Sequence, residues 1–464
     1  MTDKIEFLKK HKISLWVDNI NRSFLSDGSL QRYIDNLHIT GLTSNPTIFE
    51  KAILANKAYD TSFEILLKKG YNEEEILESL MVEDIQLACD SLNKIYEESN
   101  RRDGYVSMEI SPLFSFDSEK IIKESLRLYE KVGRKNLMIK IPATESGIKA
   151  LEELIYSGVN INMTLIFSPF IYERTALSYI RGVEKRIADG FSEHPYSVAS
   201  FFISRIDTAV DQKIEYLRET NHISKDEANK LKGQIAISTA LMAYEKYLNL
   251  FFTDKFMKLS MSGAKEQRIV WASTSSKNPS YRASKYIEEL TLADTINTAP
   301  IDTIESFYSS GLINEVNIYE RISYAKYLLT LLSKFNISME DILKNLQKDG
   351  IEKFIYSHNK LLGVIGDKIN RSKNMTEKTN KIMPENHDIT EEIKRLNESN
   401  FLKSLWEKET SIFKKEQEHQ KIIRNSLGWL DIPFKMYSKI KEIEDFTNSI
   451  KEEGYKYAVL LGMG

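Results

Sequence analysis

Cysteine is nearly absent from this chain, Cys89 being the only one in 464 residues. That excludes an intramolecular disulfide framework and accords with a reducing compartment. Cys89, set in the helical pattern VEDIQLACDSLNKIYEE, is therefore expected to be a buried structural thiol, and the protein cytoplasmic. No run of eighteen apolar residues occurs. The N-terminal MTDKIEFLKKHKISLWVD carries lysines but no apolar run or small-residue cleavage site, so neither a membrane span nor secretion is expected. An excess of one charge is also missing: 64 basic residues stand against 67 acidic ones, which gives no reason to expect nucleic acid as a partner. The seven histidines (His11, His38, His194, His222, His358, His387 and His419) lack the spacings of a local zinc site.

What the chain does contain is repetition. Eight short β-rich runs, each followed by helical patterning, occupy the first 300 residues: ISLWVD (13–18), ITGLTS (39–44), YVSMEIS (105–111), LMIKIP (137–142), INMTLIF (161–167), SVASFFIS (197–204), RIVWAS (268–273) and DTINTA (294–299). Such alternation predicts an α/β protein with a parallel sheet, and eight units close a (β/α)8 TIM barrel. A doubly wound open sheet is the rival, but its G-x-G-x-x-G turn is missing; the turns here read DNINRS and TSNPTIFE. A helical insertion separates the second and third runs. Helical pattern continues from about Ile301 to Asn370, placing a barrel unit at 1–372, a polar linker at 373–388 (KNMTEKTNKIMPENHD) and a separate unit at 389–464.

In KNLMIKIPATESGIKALEEL, Lys140 sits inside an apolar strand. Burying an ammonium group is costly unless it is paired or gives up its proton readily, and the second case makes it a nucleophile. Alternate strand residues share a face, so Lys140 points with Met138, near the C-terminal strand end where barrel active sites collect. The same reading of the other strand ends collects Asp18, Asn45, Glu109, Asn162, Thr164, Ser200 and Phe202. Each polar one alone reads as a cap or loop anchor, and a lone lysine as a core ion pair. Gathered at one rim they read as a site. A desolvated lysine attacks a carbonyl to form a Schiff base, whose iminium withdraws electrons from the neighbouring carbon–carbon bond. Asp18 would act as base for a hydroxyl proton, Glu109 and Thr164 would handle the water of imine formation, and Asn45 and Asn162 would hold substrate hydroxyls. No metal or cofactor is required, because the iminium is the electron sink.

At these residues the sequence resembles the transaldolase family. GLTSNPTIFEKAI (41–53) is similar to its N-terminal signature, and LMIKIPATESGIKALEELIYSGVNINMTLIFSP (137–169) to its Schiff-base lysine region; the resemblance covers residues 1 to about 372. It implies Lys140 as the Schiff-base lysine, Asp18 as acid/base, Glu109 and Thr164 around the catalytic water, and Asn45 and Asn162 on the substrate. It further implies Ser200 on the dihydroxyacetone portion and Arg205 on the phosphate. Ser275 and Lys277, in WASTSSKNPSY, fall where some branches carry a serine and an arginine for the phosphate. The implied partners are sugar phosphates. Phe202 stands where related fructose-6-phosphate aldolases have a tyrosine, which favours transfer of dihydroxyacetone from sedoheptulose 7-phosphate to glyceraldehyde 3-phosphate over free aldol cleavage. The alternatives are such an aldolase, or a non-enzymatic barrel that partners a split isomerase.

Beyond the linker, NSLGWLD and the terminal VLLGMG resemble the start of a glucose-6-phosphate isomerase domain fused behind some bacterial transaldolases. YKYAVLLG is expected to be a strand leading to a phosphate-binding turn. The sequence ends before that turn, so this unit is expected to need another chain, a separate isomerase domain being the implied partner.

Overall fold

All eight runs form strands, paired in chain order into one closed parallel barrel. They are β1 (Ser14–Asp18), β2 (Ile39–Thr43), β3 (Val106–Glu109), β4 (Leu137–Pro142), β5 (Ile161–Ile166), β6 (Ser197–Phe202), β7 (Arg268–Ala272) and β8 (Ile296–Ala299). The computed structural model describes residues 2–55, 57–313, 317–382, 389–437 and 439–453. Strands buried on both faces need near-continuous apolar sequence, and β4 and β5 are buried at every position.

The inward face is built in layers of period two. Trp16, Met138, Val198, Val270 and Ile296 form an apolar layer inside the barrel. Gly41 makes room for the largest of them, since a Cβ there would lie 2.5 Å from the Trp16 ring. Below this layer Asp103 accepts from the Trp16 indole at 2.7 Å, and buried Arg268 donates to Ser14 Oγ at 2.7 Å. Two residues further along the same five strand faces come Asp18, Lys140, Ser200, Ala272 and Thr298, all on the wall of one cavity. An apolar plug thus separates a polar floor from a polar mouth.

Among the described residues between β2 and β3 the chain forms the helix Pro46–Ala55 and then the insertion's helices Asp60–Lys68 and Glu73–Glu98. The Glu73–Glu98 helix opens on a capping box between Asn72 and Glu75. After β4 the chain turns directly into the Glu145–Tyr156 helix, with Thr144 accepting from Gly147 N at 3.0 Å. Gly147 is required there, because any Cβ would lie 1.9 Å from the Pro142 carbonyl oxygen.

One helix spans Met339–Ile382. Buried Leu343, Ile351, Phe354, Leu361, Ile365 and Ile369 lie at spacings of three, four, seven and eight, a stripe that faces the barrel. The helix runs on through residues 373–382, into the span expected as linker; 383–388 lie outside the described residues. Two compact units divide at Asn370 and Arg371. The second carries the helices Ile389–Glu398, Phe401–Trp406, Gln417–Ser426, Ile432–Tyr437 and Ile440–Glu452, and its expected strand YKYAVLLG lies outside the described residues. Among the described residues no helix is long and apolar enough to cross a membrane.

Candidate active site

Lys140 leaves β4 pointing into the C-terminal mouth and is 5% exposed. Its ammonium Nζ donates to the Ser44 carbonyl oxygen at 2.8 Å and pairs with Glu109 Oε1 at 2.9 Å across the β3–β4 register. Burial pushes the Glu109 carboxyl up to about 7, against the pull of Lys140. The Glu109 carboxyl therefore changes protonation near neutral pH, directly beside the Lys140 amine. Burial also raises the Asp18 carboxyl, opposed first by Lys140 and then by the Thr43 hydroxyl, which donates to Asp18 Oδ1 at 2.9 Å. Thr43 is held in turn by Thr298 at 2.7 Å.

Thr164, on β5, is buried, and its hydroxyl has no hydrogen-bond partner among the described residues. With Glu109, Lys140 and Pro142 it walls a small cavity of about 10 Å³. That volume is about one water, and four polar residues, Glu109, Ser115, Lys140 and Thr164, line it. The strand bulges at this point: register slips between Met163 and Ile166, and Leu165 takes a φ of +58°. A side chain in the left-handed region costs on the order of 1 kcal/mol. The long helix supports the bulge, with Gln347 Nε2 donating to the carbonyls of Ala143 at 2.9 Å and Leu165 at 3.2 Å.

The main cavity, about 640 Å³, is walled by Asp18, Asn45, Lys140, Ser200, Phe202, Arg205, Ser275 and Lys277 among others. Asn162 lies beneath it rather than on it. Fully buried, it donates to Ser107 Oγ at 2.9 Å and accepts from Ser200 Oγ at 2.7 Å, and so orients Ser200. Asn45 is both wall and cap, since its side-chain oxygen accepts from Ile48 N at 3.1 Å at the start of the Pro46–Ala55 helix.

Arg205 follows β6, its guanidinium 5.7 Å from the Phe202 ring centre. Nη1 is buried with no hydrogen-bond partner among the described residues, and burial lowers the guanidinium's affinity for its proton, partly offset by Asp349. Lys277 Nζ donates to Ser275 Oγ at 2.8 Å, and burial, Arg205 and Lys51 all push its ammonium down. A doubly charged anion between these cations would relieve each of those costs. Lys51 shares this wall and was not foreseen, although it lies inside the quoted GLTSNPTIFEKAI; nor were Thr43, Thr298, Phe354 and the Ser44 carbonyl. For Thr43 and Ser44 the signal was their place beside Asn45, whereas Thr298 and Phe354 carry none until the chain is folded.

The model of the family described as Transaldolase/Fructose-6-phosphate aldolase matches residues 15–365. Similar curated proteins include "Transaldolase 2" of Nostoc punctiforme, 40% identical over 378 residues covering 79% of this chain and 98% of that protein. "Transaldolase" of Trichodesmium erythraeum is 40% identical over 77% of this chain and 95% of its own length. "Transaldolase" of Frankia alni is 35% identical, covering 80% of this chain and 99% of its own.

Proposed function

We propose, from the premise that this chain belongs to the transaldolase/fructose-6-phosphate aldolase family, that it is a transaldolase whose Schiff base forms on Lys140. It transfers a dihydroxyacetone unit from sedoheptulose 7-phosphate to glyceraldehyde 3-phosphate, giving erythrose 4-phosphate and fructose 6-phosphate, as in the non-oxidative pentose phosphate pathway. The observation that carries the site assignment is the buried Lys140–Glu109 pair, whose carboxyl sits at about 7.

The steps follow from the groups in reach. Glu109 takes a proton from Lys140, and the free amine adds to the ketone carbon. Glu109 returns that proton to the carbinolamine hydroxyl, which leaves as water held by Thr164. Asp18 then removes the proton of the substrate's C4 hydroxyl, the C3–C4 bond breaks, and its electron pair passes into the iminium as an enamine. The aldose leaves, the acceptor enters, and the enamine carbon attacks its aldehyde while Asp18 returns the proton. Hydrolysis of the new imine frees the ketose. Ser200, oriented by Asn162, and Asn45 bind the hydroxyls of the three-carbon unit, and Arg205, Ser275 and Lys277 bind the phosphate. Reduction with borohydride in the presence of fructose 6-phosphate should leave a mass adduct on the peptide containing Lys140; an active enzyme modified elsewhere would refute the assignment.

A second reading, free aldol cleavage, is disfavoured because no tyrosine lines the main cavity among the described residues and Phe202 offers no proton. Release of dihydroxyacetone without an acceptor would establish it. For residues 389–464 the proposal is a stretch similar to the N-terminal part of a glucose-6-phosphate isomerase domain, with a separate isomerase-domain chain as its partner, supported by NSLGWLD and VLLGMG. Its test is a pull-down of such an isomerase chain by this protein, and absence of binding refutes it. A cytoplasmic location is proposed from the single thiol, Cys89, which is buried.

A further inference from the structure

Glu109 and Thr164 do not line the main cavity, although Lys140 does. Glu109 lines two other cavities instead. With Ile110 and Pro112 it forms part of the wall of both the one-water cavity and a second, larger one of about 340 Å³. This larger cavity is flanked by the Glu73–Glu98 and Ser118–Val132 helices and by the long helix at His358, Leu361 and Leu362. Its walls are largely apolar. Ser111 and His358, 3.4 Å apart, and Asn45 interrupt them with polar groups. At its outer end stand exposed Glu74 and Arg127 with half-buried Glu78 and Glu124, so the cavity reaches solvent.

We infer that this second cavity is a water port, by which the water released from Lys140 leaves, and the hydrolytic water arrives, while a sugar fills the main cavity. The inference rests on the Lys140 and Glu109 roles proposed above. Imine formation converts one ketone and one ammonium group into an iminium and one water. That water forms on the Glu109 and Thr164 side, with the sugar between it and the main opening. It must either remain and reverse the step or leave by another way.

Charge divides the two openings. The main cavity is walled by Lys51, Lys140, Arg205 and Lys277 against Asp18 alone, a field that gathers anionic sugar phosphates. The mouth of the second carries three carboxylates against Arg127, with Lys131 paired to Glu78, and so keeps an excess of negative charge that disfavours them. Water is indifferent to that sign. Along the apolar passage Asn45, Ser111, His358 and Glu109 supply the polar partners that water needs in transit.

The test is exchange of oxygen between fructose 6-phosphate labelled with oxygen-18 at C2 and solvent, with no acceptor present, measured beside borohydride trapping of the imine. Exchange requires the released water to leave while the sugar stays bound. Met81→Trp and Leu362→Trp fill the cavity from opposite walls, and both side chains are half-buried, so a larger ring has somewhere to go. Each should trap imine to the wild-type extent, exchange label at least tenfold more slowly, and melt within a few degrees of wild type. Wild-type exchange in the folded variants overturns the port. Failure of the wild type itself to trap imine on Lys140 would instead overturn the site assignment beneath it. Loss of exchange and trapping together in both variants would mean that the cavity supports the site structurally and conducts nothing, which also overturns the port.

Discussion

Lys140 and Glu109 are worth more as a pair than either is alone. Removing the ammonium leaves Glu109 buried without the charge that holds its carboxyl down, so Lys140→Met should abolish transfer and carry the Glu109 titration above about 7, read by carbon-13 NMR. A titration that stays put would mean that the pair is not coupled. In the intact enzyme the carboxylate must be ionised to receive the Lys140 proton. Imine formation should therefore slow as pH falls through about 7, and Glu109→Gln should flatten that limb along with most of the rate. Arg205 offers a guanidinium nitrogen with no protein partner. Arg205→Ala should raise KM for phosphorylated sugars roughly ten- to hundredfold, the equivalent of about 1.5–3 kcal/mol for a charge-assisted contact, and leave a phosphate-free analogue nearly untouched. Equal losses for both would make the arginine structural.

At the scale of elements, the Met339–Ile382 helix is the part that a barrel diagram omits and this site requires. Gln347 holds the bulged end of β5, Phe354 closes one wall of the main cavity, and Ser357 and Lys360 tie the helix to Thr47 at 2.9 Å and Glu50 at 2.6 Å. The bulge puts Thr164 beside Glu109. Gln347→Leu deprives two buried carbonyls of their side-chain donor, a loss of about 1–3 kcal/mol. Its activity should fall in imine formation more than in phosphate affinity, because Arg205 is carried by the Ser204–Glu219 helix that follows β6. A pure KM effect in steady-state kinetics would contradict this.

At the scale of the whole molecule, all the residues assigned to the site fall between Asp18 and Phe354, inside the unit that ends at Asn370 and within the family match to residue 365. A chain ended at Ser372 should keep the transfer rate of the full chain in a coupled assay. A large loss would show that the later residues serve the barrel. The relatives named here are covered over nearly their whole lengths by about four-fifths of this chain. The remaining fifth thus lies outside what those comparisons explain.

The sequence by itself determined the strands, their number and the inward set. A strand's side chains alternate with period two, so Met138 and Lys140 must share a face, and with them Trp16 and Asp18, and Val198 and Ser200. Ring closure then brings the outer member of each pair to one rim. Folding alone decided what depends on distance between segments remote in the chain. It put Asn162 under Ser200 instead of on the cavity wall, its amide engaged by Ser107 Oγ of β3 and Ser200 Oγ of β6. It brought Thr298 to Thr43 across 255 residues and Gln347 to Leu165 across 182. It also set Glu109 on the wall of a second cavity, since the space beside a buried residue is set by the helices packed outside its strand, here the insertion and the long C-terminal helix.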